Sequence, residues 1–135
     1  KEVRRLATAN ADWFEMELRP VLGESVYDTP FEPEVGFASI TRPNVSVLVL
    51  RNESLDRAPE ALAHHFGRPV KVTSENVGSA KGYGNLYAQV LERFRPPPEY
   101  VARAYSTRQA EHFYAPDELD QLRSYWTRPL DRSDP

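Results

Sequence analysis

The run Val45-Ser46-Val47-Leu48-Val49-Leu50 constrains the fold of this chain more than any other stretch. Its valines are branched at Cβ, which suits a pleated surface better than a helix. Side chains alternate across a strand, so the unbroken apolar run Val47 to Leu50 asks for cover on both faces. This strand is therefore expected to be the more buried one of its sheet, with Leu48 in the core. Pro43-Asn44, directly before it, is a turn signal, and Gly36 to Arg42 alternates as a second strand. Strands this close in sequence pair as an antiparallel hairpin, Gly36–Arg42 against Val45–Arg51.

Helical spacing dominates the rest. Val3, Leu6, Asn10, Trp13, Phe14 and Leu18 predict a first helix, ended by Pro20 and Gly23. Pro30 and Pro33 bracket Phe31 in an extended connector. A helix from Pro59 to Phe66 is expected after the hairpin, capped by Ser54 or Asp56, closed by Gly67, with Leu62, Ala63 and Phe66 as its apolar stripe. Val70 to Val72 reads as a short extended piece. Tyr83 to Phe94 predicts another helix, with Leu86, Tyr87, Val90, Leu91 and Phe94 on one side and Pro96-Pro97-Pro98 as its stop. A short helix from Glu99 to Tyr105 follows. Pro116, Asp117 and Glu118 then open a last helix to Trp126, with acids at the positive end of its dipole.

A length of 135 residues suits one domain, here 1–126, with a polar tail at 127–135 that is expected to fray. Net charge is −3 with the signs interspersed, which excludes a general nucleic-acid binder but not a local basic pocket. Cysteine is absent, which excludes disulfides, a thiolate nucleophile and cysteine-based zinc sites. No apolar run reaches membrane-spanning length and no signal-peptide pattern opens these residues, so the expected compartment is cytoplasmic. The first residue is not Met and the chain opens within a helical pattern, which reads as a fragment of a longer chain.

Several residues carry candidate chemistry. Lys81 and Tyr83 lie among Gly82 and Gly84, where backbone N–H groups and an ammonium could approach a phosphate closely. The competing reading is a solvated loop in which Tyr83 starts a helix. Asn76 is a candidate ligand contact or, more simply, a turn or cap residue. Arg51 and Glu53 stand at a strand end, where α/β folds bind ligands, but an ion pair bracing the next helix is the favoured reading. His64 and His65 are adjacent on a helix and face apart, unlike an i, i+4 metal pair, so no metal site is expected. His112 is expected to order the last loop. Trp13 and Trp126 have the spacing of core residues, with a sugar platform as the alternative.

The strand end Arg51-Asn52-Glu53-Ser54-Leu55 and the helix closing in His64-His65-Phe66-Gly67 resemble the late strand of sulfotransferases, roughly Arg-Tyr-Glu-Asp-Leu and a helix ending near Phe-Leu-Gly. Asn76, Gly78, Lys81-Gly82-Tyr83-Gly84 and Tyr87 resemble the putative capsular polysaccharide synthesis family, whose signature carries Lys-Trp-Tyr-Ser at that place. Trp13-Phe14-Glu15 near the start and His112-Phe113-Tyr114 near the end extend the resemblance across about Asp12 to Trp126. It implies an α/β fold: the C-terminal part of a P-loop-type sulfotransferase-like fold, a β-hairpin surrounded by four or five helices. It further implies 3′-phosphoadenosine 5′-phosphosulfate as sulfuryl donor and a carbohydrate or other small-molecule hydroxyl as acceptor. Lys81, Gly82, Tyr83 and Asn76 would lie at the nucleotide. Gly82 and Gly84 depart from the family's Trp and Ser, and Gly78-Ser79-Ala80-Lys81-Gly82 lacks the spacing of a phosphate loop. The 5′-phosphosulfate loop and catalytic base are thus expected upstream of this chain, with catalytic residues unassigned. A non-catalytic binding or interaction module derived from the same fold is the alternative.

Overall fold

A computed structural model of the chain describes residues 13–73 and 84–129. β1 (Phe37–Arg42) and β2 (Val45–Leu50) form the expected antiparallel hairpin, with Phe37 opposite Leu50 and Arg42 opposite Val45. Ile40, only 2% exposed, shares a core with Leu22, Val26, Tyr27 and Phe113, and Val45, Val47 and Val49 pack against it. The opposite face is covered by α2 (Ala58–Phe66). There His65 Nδ1 lies 3.0 Å from Ser39 Oγ, and the His64 ring lies 5.9 Å from that of Phe37. Both faces of the hairpin are therefore covered, as the apolar run requires.

The order of burial is the reverse of the expectation. Phe37 and Ile40 of β1 are buried, whereas no residue of β2 is fully buried and Leu48 is half-buried. Both strands are edges of a two-stranded sheet among the described residues, and β1 is the better covered because Ile40 enters the core of Leu22, Val26, Tyr27 and Phe113 and Phe37 lies against His64.

Of the first expected helix, residues 3–12 lie outside the described residues; Phe14–Leu18 is a π-helix that runs on as α1 (Arg19–Leu22) to a left-handed Gly23. Pro20 does not end it, because it falls in the first turn of α1, where its missing N–H is tolerated. A short 3₁₀ turn, Val26–Asp28, follows. Ser25 and Asp28 close it as a capping box, and it buries Val26 and Tyr27. Gly36 has φ of 78°, and a Cβ there would collide with the Ser54 side chain, so the turn into β1 requires glycine.

A 3₁₀ turn, Asn52–Arg57, leads from β2 into α2. Neither Ser54 nor Asp56 caps that helix: Arg57 is at its N-cap, and the Ala58 N–H donates to the Leu55 carbonyl. The buried face of α2 is Ala58 and Ala61, while Phe66 is 58% exposed. Val70–Val72 forms no strand. In α3 (Gly84–Arg93), Leu86 and Val90 of the expected apolar side are exposed, and so is Phe94 beyond its end. Then come α4 (Pro98–Ala104), α5 (Arg108–Phe113) and α6 (Pro116–Thr127). α5 was not anticipated. Thr107 caps it by accepting from Ala110 N–H at 3.1 Å, and it carries Phe113 into the core. Trp13 is exposed rather than core. The result is a mixed α/β architecture with six α-helices among the described residues, one or two more than expected.

The two faces predict unequal mutational costs. Ile40→Ala should destabilise by roughly 2–5 kcal/mol, and Leu48→Ala by about half as much, because only the first empties a fully buried site. Urea unfolding of both variants measures this, and equal losses would contradict the assignment of the core to the Ile40 face.

Candidate functional site

The strand end that the sequence singles out is built around Arg51. Its main-chain N–H donates to Gly36 O at 2.9 Å, which fixes it as the first residue beyond β2. Its side chain is 7% exposed. Nη1 donates to Glu118 Oε2 at 3.0 Å and to the Pro33 carbonyl at 3.1 Å, and Nη2 donates to the other Glu118 oxygen. The guanidinium lies 4.3 Å from the centroid of the Tyr114 ring, a cation–π contact. The Tyr114 hydroxyl donates to Glu53 at 3.1 Å, equidistant from both oxygens. Arg51 Nε makes no hydrogen bond and stands 4.0 Å from the Glu53 carboxylate.

The electrostatics follow from this packing. Burial pulls the Arg51 guanidinium down, but the hydrogen bond and charge of Glu118 outweigh it and leave the group above its ordinary value. Burial, then the Glu53 charge, pushes the Tyr114 phenol up to about 12, so it stays a neutral donor at ordinary pH. One cation faces two carboxylates, and both terminal nitrogens of the guanidinium are engaged. Such an arrangement repels a phosphate. Arg51 is a brace, as the favoured reading held: the expected pair with Glu53 is present at 4.0 Å, and Glu118 on α6 is the hydrogen-bonded partner that was not expected.

The sequence candidates for nucleotide binding, Lys81, Gly82, Tyr83 and Asn76, lie outside the described residues, in the connection between α2 and α3. The structure separates the remaining candidates. His65 is held by Ser39, and Ser39 lines, with Glu32, Phe37 and His64, a cleft of about 280 Å³. Among the described residues no carboxylate bonds to His65, so the pair lacks the third member of a catalytic triad. No cluster of three or more metal-ligating side chains occurs among the described residues either.

His112 sits on α5 between the rings of Tyr27 and Phe113, at 5.3 and 4.8 Å, with Nε2 buried and without a hydrogen bond. Burial holds its pKa below the ordinary 6.5, helped by the Arg108 charge and opposed by a hydrogen bond to the Thr29 backbone. Trp126 is half-buried and forms, with Phe94, Pro96, Tyr100 and Tyr105, the wall of a groove of about 530 Å³. Tyr105 is anchored through its carbonyl, which accepts from Arg123 at 2.6 Å, and burial raises its phenol pKa. Sequence reasoning did not join Arg51 to Tyr114 and Glu118, which stand in the closing segment without any local mark of their partner.

Residues 3–115 match the NKWYS family, described as putative capsular polysaccharide synthesis protein. The chain belongs to this family. The match spans the hairpin, Arg51, Glu53, the 76–84 stretch and Tyr114, and stops short of Glu118. No curated protein and no solved structure matches the chain. No described helix is long and apolar enough to cross a membrane.

The packing of His112 predicts a pH dependence. Its folded pKa lies below 6.5, so as pH falls the unfolded chain takes up this proton first. Its contribution is complete above pH 6.5 and is lost as pH drops from there through the depressed folded value. Thermal melts at about pH 7.5 and about pH 5 should show a smaller drop for His112→Gln than for the unmodified chain. Equal drops would contradict a buried neutral imidazole.

Proposed function

We propose that this NKWYS-family chain is the C-terminal part of a sulfotransferase-like enzyme acting on a hydroxyl of a carbohydrate. Two observations support the reading. The family is one of capsular polysaccharide synthesis. The element order at Arg51-x-Glu53-x-Leu55, a strand followed by a 3₁₀ turn and a helix closing on a left-handed Gly67, is the one that the sulfotransferase resemblance calls for. The second observation carries the assignment of reaction class.

The donor in this reading is 3′-phosphoadenosine 5′-phosphosulfate, which supplies the sulfuryl group. The Arg51 cluster does not fit its phosphates: it has an excess of carboxylate and no free terminal nitrogen. In this reading the 3′-phosphate is held by Lys81 and its glycine neighbours, with Tyr83 and Asn76, as the family resemblance implies. The groove of Tyr100, Tyr105 and Trp126 offers aromatic faces on which the C–H face of a sugar ring can stack, which suits an acceptor. A second reading, a non-catalytic interaction module, is favoured by the exposed Leu86, Val90 and Phe94.

The nucleotide decides between them. Adenosine 3′,5′-bisphosphate should bind the full-length protein more tightly than adenosine 5′-monophosphate, because only the first offers Lys81 a 3′-phosphate. Lys81→Ala should remove most of that preference, about 1.5–3 kcal/mol for a charged hydrogen bond, and added salt should weaken it. Calorimetry measures both. Equal affinities, or a preference untouched by Lys81→Ala, would favour the interaction module.

A further inference from the structure

The hydrogen-bond pattern of the hairpin fixes which backbone groups of β2 point away from β1. Arg51 N–H donates to Gly36 O, so those two residues are a hydrogen-bonded pair. The alternation of an antiparallel ladder then makes Phe37–Leu50, Ser39–Leu48 and Thr41–Ser46 the non-bonded pairs. Ser46, Leu48 and Leu50 consequently turn their N–H and C=O groups outward. Among the described residues none of these groups has a backbone partner.

This edge has none of the devices that keep an edge strand from pairing. From Val45 to Leu50 it has no charge and no proline, and its register with β1 runs without a bulge. α2 packs on both strands, and Leu55, in the turn before it, and Phe66, at its end, are 57% and 58% exposed.

We infer that the edge of β2 is a self-association surface, on which β2 of a second copy pairs antiparallel to complete a four-stranded sheet. The partner that this edge fits is an extended, uncharged strand with apolar side chains on both faces. Val47 to Leu50 is the longest apolar run of the chain, so another β2 meets that requirement better than any other segment of it. The outward groups are spaced symmetrically about Leu48. Placing Leu48 opposite the partner subunit's Leu48 sets Ser46 opposite the partner subunit's Leu50, and every outward N–H meets an outward C=O. The same patch serves both molecules, as two-fold symmetry demands. No like charges meet across the seam, and the Leu48–Leu50 face continues from one molecule to the next.

Light scattering after size exclusion, on the full-length protein over about 1–100 μM, tests this, the range in which weak dimers assemble. Two variants accompany it. Ser46→Pro removes an outward N–H and no backbone bond to β1, and Ser46→Lys places a charge on the edge at an exposed position; both lose only the exposed 3.0 Å contact between the Ser46 and Thr41 hydroxyls. The expected result is a dimer for the unmodified protein and a monomer for each variant that keeps its circular dichroism spectrum. A monomeric unmodified protein overturns the inference, as does a dimer that persists in a folded variant. Hydrogen exchange adds the competing occupant: a monomer with protected Ser46, Leu48 and Leu50 amides has another strand of its own polypeptide on this edge, which also overturns it.

Discussion

The bidentate contact between Arg51 and Glu118 is the interaction on which the rest of the arrangement depends. It joins the end of β2 to the first turn of α6, across a separation of 67 residues. The same guanidinium holds the Pro33 carbonyl and lies over Tyr114, so the connector before β1 and the end of α5 meet at one cation. A two-stranded hairpin is marginal by itself and must be fastened to helices on its faces. A buried ion pair adds little net stability over an apolar pair of the same shape, but losing one partner strands a buried charge. Its role is to specify one docking of α6 rather than to add to the total stability.

That docking has a functional consequence. α6 carries Glu118 in its first turn and Trp126 near its end, about 12 Å along the axis at 1.5 Å per residue. The brace at one end therefore positions the aromatic groove at the other. It also removes Arg51 from ligand chemistry. In the proposed transferase, phosphate binding is left to the Lys81 stretch and acceptor binding to the groove.

The hairpin was legible in the sequence because its cause is local: valines at alternate positions and a Pro43-Asn44 turn. Gly67 closes α2 and Pro116 opens α6 for the same kind of reason, a backbone conformation or a missing N–H. Leu48 was misjudged because burial depends on which distant elements cover each strand, which no local pattern records. Phe66 was misjudged because α2 approaches the sheet closely on Ala58 and Ala61, leaving its large side chain outside. α5 escaped notice because it is short and starts from a single cap, Thr107. Of the site, Arg51 and Glu53 were recognised, with the right structural role and an incomplete set of partners. Asn76, Lys81, Gly82 and Tyr83 are outside the described residues, so the nucleotide proposal rests on sequence and family alone.

A double-mutant cycle on Arg51 and Glu118 tests the central claim most directly. Arg51→Met alone and Glu118→Leu alone should each destabilise the protein in urea unfolding, by about 1–3 kcal/mol, because the first leaves two part-exposed carboxylates without their cation and the second leaves the buried guanidinium with only Glu53 at 4.0 Å. The double variant should be more stable than either single one, because it replaces the pair by apolar groups of similar size. Additive losses would contradict the account, since they would mean that Arg51 and Glu118 stabilise the fold through separate partners and that the strand end is not closed by their contact.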